Sequence, residues 1–231
     1  PLDLEAQAAY DIMSGIDQCC EFCGTGIVGG DTKTGPGIVA GTALGTMDGR
    51  PPMRRSGARP GDIVAVTGPV GGPAAAFIAL EKGLEAPEAK EALYVPIPRV
   101  EEGVAMAKSG AVTSCMDLSD GLGTALNTIC SASGVGIDVE LDFIPRGPCV
   151  DEMAEASGRP AKDLLLGWGG EYELLFTADR ERLDRLYDAE VEFSIIGMVN
   201  DSGRPSLVED GKRSVIPYGE YRACRIQILQ S

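Results

Sequence analysis

Three short segments combine glycine with carboxylate side chains: Gly29-Gly30-Asp31-Thr32, Asp117-Leu118-Ser119-Asp120-Gly121 and Gly169-Gly170-Glu171-Tyr172-Glu173. Carboxylate oxygens are hard ligands that suit Mg2+, which keeps several waters and is shared between one or two carboxylates and substrate phosphates. Adjacent glycines let a phosphate approach backbone N–H groups closely. Each segment alone also has an ordinary explanation, since Gly-Gly-Asp makes turns and Ser119 or Asp120 is a natural helix N-cap. The chain has no histidine. That removes Ser/His/Asp and Cys/His triads, histidine bases and His-ligated zinc or haem. Chemistry on carboxylates, hydroxyls, thiols or a metal remains, and the three segments together suit nucleotide–Mg2+ chemistry.

Other residues carry weaker signals. Arg54 and Arg55 form a charged pair whose planar forks could hold a phosphate or stay solvated. Gly68-Pro69-Val70-Gly71-Gly72-Pro73 precedes a helix but lacks the spacing and lysine of a phosphate-binding loop, so it reads as a turn. Cys20 and Cys23 make a lone C-x-x-C with no second pair, which favours helix packing over metal or redox use. Trp168, Tyr218 and Tyr221 are expected to serve the core before any ligand.

These residues need elements to position them. Apolar spacing predicts a helix over 4–23, then strands over 26–31 and 38–47, the first of them buried with Asp31 at its exit. The proline- and arginine-rich stretch 50–62 breaks all periodicity and predicts a domain boundary, placed between 58 and 59. Beyond it, strands are expected at 63–67, 112–116, 136–141, 173–177, 193–198 and 206–208. Helices are expected at 73–82, 99–109, 122–133, 151–156 and 180–186. Their mixed order favours an α+β architecture over a doubly wound parallel sheet.

The chain's 231 residues leave room for a sizeable core. With 20 Lys+Arg against 35 Asp+Glu the formal net charge is -15, which disfavours attraction to nucleic-acid phosphates. No apolar run is long enough to span a bilayer, no secretory leader is visible, and 7 scattered cysteines fit reduced thiols, so a soluble cytoplasmic protein is expected.

The segments at 27–32 (IVGGDT), 54–62 (RRSGARPGD), 114–122 (SCMDLSDGL), 169–177 (GGEYELLFT) and 195–199 (IIGMV) resemble, in this order, the thiamine-monophosphate kinase family, over essentially the whole chain. That family is grouped with aminoimidazole ribonucleotide synthetase and selenophosphate synthetase. The resemblance implies two α+β domains and transfer of the γ-phosphoryl of ATP to thiamine phosphate with Mg2+. It implies Asp31, Asp117 and Asp120 as metal ligands, Asp117 and Asp120 as the catalytic pair, and Gly30, Arg55 and Ser119 as ATP contacts. Glu171 and Tyr218 would contact thiamine phosphate, with Tyr221 as the alternative to Tyr218. The family segment GGEDYEL is one residue longer than the GGEYEL found here, so Glu171 answers to either acidic position.

Members of the family carry further sequence, with a Gly-Asp-Asp motif, before the helix at 4–23, and they dimerise through their first domain. On the resemblance, residues 1–58 are the truncated end of an ATP-binding and dimerisation domain and 59–231 a C-terminal α+β domain. A homodimer is implied for the intact protein. Two alternatives stand beside the kinase: another ATP-dependent synthetase of the superfamily, and a non-catalytic fragment with an incomplete metal site.

Overall fold

The computed structural model describes residues 4–217 and separates into two units that part between Gly49 and Arg50. In the first unit the expected helix forms as α1, Ala6–Phe22, with none of its residues buried. The strands expected at 26–31 and 38–47 do not form. Both stretches lack regular structure, and Val28 is 96% and Leu44 90% exposed. A β-branched run becomes a strand only when a neighbour takes up its N–H and C=O groups, and among the described residues of this unit no strand offers them.

The second unit is built on a seven-stranded sheet. Its strands are β1 Ile63–Val66, β2 Val112–Asp117, β3 Gly136–Glu140, β4 Leu174–Ala178, β5 Ser194–Asn200, β6 Pro205–Glu209 and β7 Lys212–Val215. They lie in the order β2-β4-β1-β5-β3-β6-β7. All neighbours are antiparallel except β3 and β6. The helices are α2 Gly72–Lys82, α3 Pro87–Tyr94, α4 Val100–Ser109, α5 Leu122–Ser133, α6 Val150–Ser157, α7 Ala161–Gly167 and α8 Asp184–Asp188. This is the α+β architecture expected from the sequence. The elements α3, α7 and β7 were not expected, and the helix expected over 180–186 is a 3-10 turn at Arg180–Arg182 followed by α8.

Period-2 alternation divides the core between the two faces of the sheet. On one face Val64 and Val66 of β1 and Leu175 of β4 pack with Ile78 of α2, Leu126 and Ile129 of α5, and Leu164 and Leu165 of α7. On the other, Ile63, Ala65, Phe176 and Ala178 pack with Met106 of α4 and Leu186 of α8. Helix ends follow local chemistry: α2 has proline in its first turn, and α2, α4 and α5 stop at Gly83, Gly110 and Gly134 in the left-handed region. The segment 54–58 runs along the outer edge of β2. The Cys115 N–H donates to the Arg54 carbonyl, and the Gly57 and Ala58 N–H groups donate to Ser133 Oγ.

Candidate functional site

β2 runs through Asp117 and opens into a turn, Leu118–Gly121, before α5 begins. Leu118 is fully buried and anchors the turn; its N–H donates to the Glu173 carbonyl at 2.8 Å. Its own carbonyl accepts from Gly121 and from Gly170. The expected side-chain cap is absent. Gly121 is the N-cap residue, at φ 86 and ψ 160, and no side chain satisfies the helix start. That backbone is almost confined to glycine. The Asp117 carboxylate accepts the Ser119 N–H at 3.3 Å, Ser119 is half-buried, and Asp120 is exposed. Two carboxylates therefore sit in one short turn with neither spent on capping α5.

The third glycine–acid segment lies directly against this turn, because Asp117 pairs with Leu174 across β2 and β4. A Cβ on Gly121 would lie 2.6 Å from the Trp168 carbonyl carbon, and one on Gly169 would lie 2.7 Å from the Gly121 nitrogen. Backbone thus meets backbone at a distance only glycine permits. The Trp168 ring packs against Phe77, with centroids 5.0 Å apart and planes tilted by 39°, half-buried at the margin of the core.

Past the glycines, the chain buries two carboxyl groups. Glu173 is held by Arg99 through two hydrogen bonds, Nε to Oε2 at 2.7 Å and Nη2 to Oε1 at 2.8 Å, and by Thr67 Oγ1 at 2.6 Å. Arg99 also donates from Nη1 to Glu102 at 2.8 Å, and these carboxylates raise its pKa against the opposing effect of burial. Glu171 is placed differently: Oε1 accepts the Gly71 N–H at 2.9 Å, while Oε2 is buried with no hydrogen-bond partner. Burial pushes the Glu171 carboxyl up to about 7; Glu173 adds to the rise and backbone N–H groups oppose it.

Both carboxyls line a cavity of about 350 Å³, walled by Pro69, Pro73, Pro148, Val95 and Ile97, with Glu88 and Glu91 of α3 also on its lining. An apolar chamber with a few buried polar groups is the usual form of a small-molecule site.

The other expected site residues are distributed as follows. Arg55 is exposed beside the β2 edge, one residue from the Arg54 carbonyl that pairs with Cys115. Gly30 and Asp31 belong to the first unit, where both are exposed and Asp31 pairs with Lys33 at 3.0 Å. Tyr218 and Tyr221 lie outside the described residues. Among the described residues no group of three or more potential ligands converges on a metal position. The donor set at Asp117 and Asp120 still suits Mg2+, which is often held by two carboxylates and completed by phosphate oxygens and water. Sequence reasoning missed Arg99, Thr67 and the Gly71 N–H. The one signal for Gly71 was the turn at 68–73, whose left-handed glycine aims that N–H at Glu171.

Residues 59–210 match the family model described as AIR synthase related protein, C-terminal domain. The chain is 40% identical over 169 residues to a thiamine-monophosphate kinase of Methanopyrus kandleri, covering 71% of this chain and 53% of that protein. It is 33% identical over 219 residues to the thiamine-monophosphate kinase of Pyrococcus horikoshii, covering 94% and 67%. Among solved structures, AaThiL complexed with AMPPCP and TMP shares the fold at 24% identity and a TM-score of 0.75, over 95% of this chain and 69% of that one. The chain spans between about half and two thirds of the curated relatives it matches.

Proposed function

Because the chain belongs to the thiamine-monophosphate kinase family, we propose that it takes part in ATP-dependent phosphorylation of thiamine phosphate to thiamine diphosphate. The observation that carries this reading is the Leu118–Gly121 turn. It holds Asp117 and Asp120 free of capping duty directly beside the cavity segment that bears Glu171.

In this reading Asp117 and Asp120 would hold Mg2+, which would supply neutralisation of the charge on the nucleotide phosphates. The Ser119 N–H fixes one rotamer of Asp117, and Ser119 and Arg55 contact ATP. Arg55 reaches the phosphates from the β2 edge. Glu171 and Tyr218 bind the acceptor, with the proline-rich walls of the cavity offering its ring an apolar surface. No general base is required, because a phosphate monoester with a second pKa near ~6 is mostly a dianion at neutral pH. Direct in-line transfer then depends on positioning and on stabilisation of charge.

We propose the domain boundary at residues 58/59, where the family-model match begins. We further propose a homodimer acting in the cytoplasm. The direct test supplies the intact protein with ATP, Mg2+ and thiamine phosphate. Formation of thiamine diphosphate is expected; ATP turnover only with an amide-type synthetase substrate would reject the kinase reading.

A further inference from the structure

The orphaned oxygen of Glu171 bears on how the acceptor is recognised. Oε1 is committed to the Gly71 N–H, which leaves Oε2, buried and without a partner on a residue that lines the cavity, as the oxygen free to pair with a ligand. A buried oxygen without a hydrogen bond is costly, and far more so when charged. The surrounding charges offer no relief. Arg99 is the only cation on the cavity lining among the described residues, and it is engaged by Glu173 and Glu102. The remaining charged groups there, Glu88 and Glu91 of α3 and Glu173 at the entry to β4, are acidic. Only backbone N–H groups, that of Gly71 just before α2 foremost, favour an anion.

We infer that Glu171 acts as a neutral carboxylic acid, with Oε2–H donating a hydrogen bond into the cavity to an unprotonated ring nitrogen of the acceptor. This rests on the reading of Glu171 as an acceptor contact and adds its protonation state. The free carboxyl, already pushed by burial up to about 7, is driven further toward the neutral form when a ligand displaces the remaining water. Acceptor binding is then complete below about 7 and is lost as pH rises, because ionisation removes the donor.

The test is equilibrium binding of thiamine phosphate to the intact protein and its Glu171→Gln and Glu171→Ala variants from pH 5.5 to 8.5, with unfolding curves confirming that each is folded. The ligand's own phosphate titrates near ~6 in every case, so the affinity ratio of wild type to the Gln variant isolates Glu171. That ratio is expected to fall about tenfold per pH unit above ~7, as loss of one proton requires. The Gln variant keeps a donor and is expected to lose only a few-fold at pH 6, against about tenfold or more for Ala, the loss of one good hydrogen bond. An infrared band of a protonated carboxyl at pH 6 that disappears in the Gln variant is expected as well. A ratio that is flat or rises with pH, or a Gln variant as weak as Ala, overturns the neutral donor while leaving the contact intact. Binding by the Ala variant equal to wild type at every pH overturns the contact itself.

Discussion

Replacing Gly121 with alanine tests whether the acidic turn is held by backbone contact. Gly121 sits at φ 86 and ψ 160, a conformation that costs a residue with a side chain about 1–3 kcal/mol. The new methyl would lie 2.6 Å from the Trp168 carbonyl carbon, so the turn and the 168–170 segment must separate. The hydrogen bond from Gly170 N–H to the Leu118 carbonyl goes with that movement, a further loss of about 1 kcal/mol. The sum is about 3 kcal/mol, or a fall in Tm of roughly 6–12 °C for a protein of this size. Two further substitutions grade the effect. Gly134→Ala meets a left-handed φ of 68 but open space, and is expected to cost about 1–2 kcal/mol. Gly167→Ala meets neither, and is expected to stay within about 0.5 kcal/mol of wild type. Urea and thermal unfolding of all three give the ranking. A Gly121→Ala protein no less stable than Gly134→Ala would refute the reasoning, because the carbonyl contact would then contribute nothing.

The same turn predicts that Asp117→Asn and Asp120→Asn cut phosphoryl transfer by orders of magnitude at saturating Mg2+, since an amide cannot replace carboxylate charge at a hard cation. Asp120 caps nothing and is exposed, so its variant should keep its Tm; near-normal turnover with a lowered Tm would identify the residue as structural. Stability should depend on pH through Glu171, whose folded pKa is raised from 4.5 to about 7. The folded state then holds the proton more tightly, so the contribution is full below about 4.5 and falls by roughly 3 kcal/mol as pH rises to about 7. Unfolding curves of Glu171→Gln should lack that decline, and an identical slope in both proteins would count against it. Burial also pushes the Cys115 and Cys130 thiols up to about 12, leaving about one thiolate in ten thousand at pH 8. Alkylation should therefore label exposed Cys19 long before half-buried Cys115 or buried Cys130, and equal rates would contradict the raised thiol pKa values.

What the sequence made legible follows from how far each pattern reaches. β1, β4 and β5 are short apolar runs between glycines and charges, and α5 carries Leu122, Leu126 and Ile129 at helical spacing, so local periodicity was enough. α3 was missed because it buries a single residue, Ala89, and β7 because Lys212, Arg213, Ser214 and Val215 all face solvent at the sheet edge. The strands expected at 26–31 and 38–47 had suitable composition but no neighbouring strand. At the site, Asp117, Asp120 and Glu171 were visible because glycine marks them locally. The Arg99 and Thr67 contacts to Glu173 bridge 74 and 106 residues, a distance no short window spans. The N-cap expectation failed for a related reason: the conformation of Gly121 is set by Trp168, which arrives from a distant part of the chain.

The order of the strands also bears on when the site comes into being. β2 and β4 are neighbours in the sheet, yet α5, β3, α6 and α7 are made between them. A ribosome that has released Asp120 has still to deliver Glu171, and closing so long a loop is among the slow events of folding. Neither half forms a partial pocket early: the acid turn has no carbonyl to rest on, and Glu173 has no Arg99 placed against it, until the sheet has closed. Competence to bind should therefore emerge in the same cooperative step as global folding, and a folding intermediate with its helices formed but β4 undocked would be blind to ligand.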